Sequence, residues 1–137
     1  MASRKKTIGI TLLTLVLIGA ASFGAFVGVS AYVDSQYASM HQGCSRHQPK
    51  HVALIENNVI YPEHIVASKC DTLTIKNLDS QDRIIAFGVH EDHVAYDGVK
   101  ERELRSGESF TVSLIQLGEY LFHDHMDEDV MATFEVK

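Results

Sequence analysis

The chain has 137 residues, with 12 Lys and Arg against 18 Asp and Glu, and 8 His, 2 Cys and no Trp, a size that suits one domain. After a long uncharged run near the N-terminus, 9 basic and 18 acidic side chains remain, which is a net charge of −9. Nucleic acids and anionic lipids need a basic surface, so we exclude them as main partners, whereas an acidic, histidine-rich surface favours cations.

The first predicted element is that uncharged run, which spans residues 7–33 and has 27 residues. A helix that crosses a bilayer needs about 20 residues. Basic residues at positions 4–6 favour a cytoplasmic N-terminus, so residues 1–33 are predicted to be a cytoplasmic stub and a transmembrane anchor. Small residues at 29–31 also fit a cleavage site, and a cleaved signal peptide is the alternative. Both interpretations place the rest of the chain on the extracytoplasmic side of the cell membrane.

Cys44 and Cys70 are the only two cysteines. In an oxidising compartment an even number of cysteines predicts a disulfide. Closing a loop of about 26 residues would stabilise the fold by roughly 3 kcal/mol. The bridge would attach a polar, non-periodic tether, predicted over residues 34–50, to the following domain. A thiolate metal site is the alternative, but no Cys-x-x-Cys spacing supports it.

Residues 51–137 have the alternating pattern of β-strands, as in the segment where Leu73 and Ile75 face one way and Thr74 the other. Turn signals separate the apolar segments about every ten residues. This spacing predicts an all-β, antiparallel sandwich with six or seven strands. The predicted strands are His51–Ile55, Val66–Leu78, Arg83–Phe87, Glu108–Ile115, Glu119–His125 and Met131–Val136.

Three segments carry a family resemblance: CDTLTIKN at 70–77, LRSGESF at 104–110 and GEYLFHDH at 118–125. In their order and spacing they are similar to motifs of the cupredoxins, the Greek-key sandwiches of plastocyanin-like and multicopper-oxidase domains. Cys70 stands where that family usually has Gly. The resemblance implies a Greek-key, cupredoxin-like β-sandwich for residues 51–137.

The blue-copper ligands of that family are not matched. Such a site needs two His, one Cys thiolate and a weak axial Met. The resemblance places the Cys at Asp124, the first His at or near Arg83, the second His near Asp127 and the Met near Val130. Because no cysteine follows Cys70, we exclude a type-1 site and blue-copper electron transfer.

Alternate residues of the predicted strand Glu119–His125 point to the same face, so Asp124 shares a face with Tyr120 and Phe122. The two aromatic residues predict that this is the core face. A buried carboxylate needs a partner. We therefore hypothesise that an ion pair between Arg83 and Asp124 replaces the copper bridge of the family.

Two pairs of histidines are candidate metal ligands. His123 and His125 share the opposite face of their strand, about 7 Å apart, and resemble the His-x-His motif of multicopper-oxidase domains. His90 and His93 follow strand 83–87, and the resemblance brings their loop to the same end of the sandwich. Imidazoles suit Cu(II) and Zn(II), so these four residues are predicted to bind copper or zinc, with Asp127 as a further oxygen ligand.

The leading functional prediction is a membrane-anchored protein that binds copper or zinc for buffering or delivery, and a binding function is favoured over an enzymatic one. The alternative is a metal-free cupredoxin-like module that contacts a protein partner or a second copy of itself. A third hypothesis, a small copper redox enzyme, would need an external electron donor. A nucleophile elbow and a phosphate-binding glycine loop are both absent from the sequence.

Overall fold

The computed structural model describes residue 25 and residues 28–44 and 50–137. A helix, α1, runs over residues 28–41, so the first half of the predicted tether is helical. Within the described residues, no helix is long and apolar enough to span a bilayer. Most of the run 7–33 lies outside the described residues, and the anchor stays a prediction.

The chain divides into two units, Met1–Met40 and His41–Lys137. The second unit includes residues that precede the predicted domain start at residue 51, and contacts attach them to the rest of that unit. The predicted disulfide between Cys44 and Cys70 is confirmed. In addition, His41 Nε2 lies 3.3 Å from Asp97 Oδ1. These contacts make residues 41–44 part of the β domain.

The described part of this domain contains ten strands in two sheets. The first sheet has the order β2-β1-β4-β8, and the second has the order β3-β10-β9-β5, with β6 and β7 both paired to β5. The strands are β1 (Lys50–Glu56), β2 (Val59–Tyr61), β3 (His64–Ala67), β4 (Asp71–Asn77), β5 (Arg83–Val89), β6 (Asp92–His93), β7 (Glu101–Leu104), β8 (Ser109–Leu114), β9 (Gly118–Asp124) and β10 (Asp127–Val136).

The core lies between the apolar faces of the two sheets. Alternate residues of β4 are buried, including Leu73 and Ile75, as their alternation predicted. The second sheet contributes three phenylalanines, Phe87, Phe122 and Phe134, whose ring centroids lie 6.2 Å apart in each pair. Each such fully buried apolar side chain stabilises the fold by about 1.5–3 kcal/mol.

The prediction of a wholly antiparallel sandwich is wrong, because β1 pairs with β4 in parallel and β3 pairs with β10 in parallel. The predicted strand 66–78 is broken after Ala67, and its two parts join different sheets. At the break, Cys70 has a φ of 77°, a left-handed conformation that glycine adopts most easily. This conformation explains why a Gly is usual at this position in the family that the sequence resembles.

Candidate metal centre

The centre is built on a row of four residues that crosses four adjacent strands. Met131 of β10 pairs with His123 of β9, which pairs with Ala86 of β5, which pairs with Glu101 of β7. Cross-strand partners project to the same side of a sheet, so these four side chains share the outer face. The small side chain of Ala86 leaves room between His123 and Glu101.

A tight hairpin of β5 and β6 brings two more histidines over this face. Gly88 pairs with His93, and its φ is +91°. A Cβ at Gly88 would lie 2.6 Å from the backbone oxygen of Asp92. Only glycine allows both this conformation and this approach. The hairpin places the rings of His90 and His93 at 5.8 and 5.2 Å from the ring of His123.

The structure gathers His90, His93, His123 and His125 into one cluster that could hold a metal ion, with one nitrogen of each within 4.8 Å of the others. Nδ1 of His125 lies 3.3 Å from Nε2 of His93. In a tetrahedral zinc site two ligand nitrogens are about 3.4 Å apart, given bonds of about 2.1 Å. Small side-chain rotations would therefore bring all four nitrogens to bonding distance of one ion.

His123 is the buried member of the cluster, at 1% exposure. By distance and angle, neither of its ring nitrogens has a hydrogen-bond partner in the described part of the chain, although the backbone of Gly88 lies close enough to oppose the lowering of its pKa. Buried polar atoms are nearly always hydrogen-bonded, and coordination to a metal would satisfy this one. Burial, and then the nearby charge of His93, lower the pKa of His123. The lowered pKa favours the neutral ring, which is the form that binds metals.

Glu101 orients one of the ligands, since its Oε1 lies 2.6 Å from Nδ1 of His93. A carboxylate at this distance holds the proton on Nδ1 and leaves the lone pair of Nε2 facing the cluster. The same hydrogen bond lowers the pKa of Glu101. Glu101 was not identified from the sequence as part of the site. The contact depends on the pairing of β5 with β7, for which the sequence carries no local signal.

Asp127, predicted as a further ligand, is exposed and is not a member of the cluster. It pairs with Asp124 across the hairpin of β9 and β10. Cross-strand partners share a face, and the face of Asp124 is opposite to that of His123. The assignment of Asp127 to the metal site is therefore not supported by its position.

On the inner face, Nη1 of Arg83 donates to Oδ2 of Asp124 at 2.8 Å. The other oxygen of Asp124 accepts hydrogen bonds from the backbone N–H groups of Ile84 and Met126, at 3.2 and 3.1 Å. Arg83 and Asp124 are each 1% exposed. Two of the four positions that differ from the blue-copper pattern thus lie side by side, and the carboxylate has a partner for each oxygen.

Arg83 has further partners in the loops next to its strand, since Nη2 donates to Asn58 and to Asp79. Burial opposes the charge of Arg83, but the hydrogen bonds to Asp124 and Asp79 raise its pKa above the ordinary value. Burial likewise opposes ionisation of Asp79, but the hydrogen bond from Arg83 lowers the pKa of that carboxyl group. The inner face is therefore a charged network whose members stabilise one another.

No family model matches the chain, and no curated protein matches it in sequence. Among solved structures, a purple cupredoxin from Nitrosopumilus maritimus matches with a TM-score of 0.57 and 17% identity, over 64% of this chain and 99% of that one. An oxidized mutant of amicyanin matches with a TM-score of 0.54 and 17% identity, over 64% of this chain and 81% of that one. A reduced Cu(I) form of another amicyanin mutant matches with a TM-score of 0.55 and 14% identity, over 68% of this chain and 87% of that one. These matches confirm the predicted cupredoxin-like fold.

Proposed function

We propose that this chain is a membrane-anchored, extracytoplasmic, cupredoxin-like protein that binds copper through His90, His93, His123 and His125, for buffering or delivery. The observation that carries the proposal is His123, buried without a hydrogen-bond partner in the described part of the chain, within a cluster of four imidazoles. Copper is favoured over zinc because Cu(II) binds more tightly at most imidazole sites. The Cu(I) form among the structures of similar fold also supports copper.

The ligand set favours binding over blue-copper electron transfer. The two cysteines are bonded to each other, so neither supplies a thiolate. His90 is exposed and His125 is partly exposed, whereas the side chain of His93 is only 6% exposed. A chelating partner could therefore reach the ion from outside, which suits a site that takes up and releases its metal.

Two features support the location. A disulfide between Cys44 and Cys70 is typical of proteins outside the cytoplasm. The uncharged run 7–33, preceded by basic residues at 4–6, supports an anchor with the β domain outside. We expect the full chain to stay in the membrane fraction after an alkaline carbonate wash. Release of an intact β domain into the wash would instead favour a cleaved signal peptide.

The proposal is tested on the full chain, dialysed against equal trace amounts of copper and zinc and then measured by elemental analysis. We expect about one copper ion per chain, as one four-ligand site allows. The double variant H123A/H125A should lose the metal and keep its fold by circular dichroism. A matched control, H64A, removes an exposed histidine outside the cluster and should keep the metal. A folded natural chain that takes up no metal would contradict the proposal.

A second candidate is a metal-free interaction module. The observation that favours it is the ion pair of Arg83 and Asp124, which joins β5 to β9 without any metal. This candidate predicts the same melting temperature with and without added copper, for the natural chain and for H123A/H125A alike. The metal-binding proposal predicts that copper raises the melting temperature of the natural chain only.

A further inference from the structure

A cavity opens beside the histidine cluster on the outer face of the second sheet. Its volume is about 280 Å³, and its lining includes His90, His123 and Met131. Glu91 and Glu128 also line it and make its surroundings negatively charged. Such a site attracts cations rather than anions.

Met131 is placed to reach into this cavity. It lies directly opposite His123 in the register of β9 and β10, on the same face. The Cβ atoms of such a cross-strand pair are about 4.5–5.5 Å apart, and a methionine side chain has three rotatable bonds with which to adjust its sulfur. Met131 is 45% exposed, so the core does not fix its position. The sulfur can therefore approach an ion held by His123.

The imidazole and thioether ligands prefer different oxidation states of copper. Imidazole suits Cu(II), whereas the soft thioether of methionine selects Cu(I). We propose that the centre binds copper in both oxidation states, and that the Met131 sulfur joins His90 and His123 as a ligand of Cu(I). This inference rests on the proposed function. This methionine is distinct from the one that the family resemblance implies, whose position falls near Val130, a buried core residue.

The test uses the full chain and two variants, M131L and M126L. Leucine keeps the size and apolar character of methionine without the sulfur. Met126 is the control, because it is 73% exposed and does not line the cavity. Cu(I), supplied without oxygen as its acetonitrile complex, is measured in competition with bicinchoninate, and Cu(II) in competition with nitrilotriacetate.

We expect M131L to bind Cu(I) at least about tenfold more weakly while its Cu(II) affinity changes less than about twofold. M126L should match the natural chain for both ions. Copper-edge X-ray absorption of the Cu(I)-loaded protein should show a sulfur neighbour in the natural chain and in M126L, and none in M131L.

Equal Cu(I) affinities of M131L and the natural chain, or no sulfur neighbour in the natural chain, would overturn the inference and leave the proposed function standing. An equal loss for both ions in M131L would also overturn it, because the effect would then not depend on sulfur. A natural chain that binds neither ion would overturn the inference and the proposed function together.

Discussion

The buried polar side chains on the two faces of β9 differ in their hydrogen bonding. On the inner face, Asp124 accepts hydrogen bonds from Arg83 and from two backbone N–H groups. On the outer face, His123 is as deeply buried, yet neither ring nitrogen has a partner in the described part of the chain. An unsatisfied buried polar group costs about 1–3 kcal/mol. The chain itself supplies partners for both oxygens of Asp124, although Nε of Arg83 has none among the described residues, whereas a ligand from outside the chain would satisfy His123.

The two faces are linked through the end of the strand. Asp124 accepts a hydrogen bond from the N–H of Met126, and the N–H of His125 donates to the oxygen of Ile84 at 2.7 Å. Asp124 and the backbone of Ile84 together therefore hold the chain around His125. Structural residues on one face position a metal-ligand candidate on the other.

The largest expected effect comes from breaking the inner face with D124A. Arg83 would keep its charge in the interior without its main partner, so we expect the metal-free chain to lose about 3–5 kcal/mol in free energy of unfolding. Chemical denaturation measures this loss. The control D127A removes the exposed carboxylate opposite Asp124 and should cost less than about 0.5 kcal/mol. A loss below about 1 kcal/mol in D124A would show that the pair has no structural role.

A pH titration examines another buried polar group of the interior. Burial raises the pKa of Tyr96 from 10.0 to about 12. Between these pH values the folded chain keeps a proton that the unfolded chain loses, so stability falls as pH rises through this range. We expect a loss of about 2 kcal/mol, measured by denaturation at several alkaline pH values. Y96F should lack this component, and Y61F, at an exposed position, should retain it. The same alkaline slope in Y96F would contradict the assignment.

The outer face can be weakened without touching a ligand by G88A. The added methyl group would meet the backbone oxygen of Asp92 at 2.6 Å, which should shift the hairpin that carries His90 and His93. We expect a loss of about 1–3 kcal/mol in stability together with weaker copper binding. In G98A the backbone also has positive φ, but no atom lies within 4 Å of the added group. The control should therefore keep its copper affinity, and equal copper affinities in both variants would show that the hairpin does not position the ligands.

The smallest expected effect on folding stability comes from E101Q. This variant should instead change the affinity for copper. An amide holds His93 less firmly than a carboxylate, so copper affinity should fall about 10–100-fold. Glu101 is largely exposed, so the melting temperature without metal should hardly change. The matched control E103Q alters a neighbouring exposed glutamate and should bind copper normally. Unchanged affinity in E101Q would remove Glu101 from the centre.

Local sequence patterns predicted the strands that carry the site, because alternation marks strands such as β4 and β9 well. Spacing alone grouped His123 with His125 and His90 with His93. The convergence of the two pairs was inferred from the family resemblance, since it depends on the pairing of β5 with β9.

Other features of the site depend on distant parts of the chain and were not predicted. The burial of His123 results from the hairpin that covers it, and alternation alone predicts an outward-facing side chain. Glu101, Asn58 and Asp79 reach their partners only through pairings and turns that close on folding. Asp127 lies outside the histidine cluster, because closeness in sequence to His125 does not decide which face a residue occupies.

The four histidines come from two separate segments, the hairpin that follows β5 and the end of β9. An ion that bound all four would link these segments as a crosslink does. A ligand at a hundred times its dissociation constant adds about 2.7 kcal/mol to folding stability. We therefore expect filled molecules to resist proteolysis longer than empty ones, so that the lifetime of the protein follows the supply of its metal.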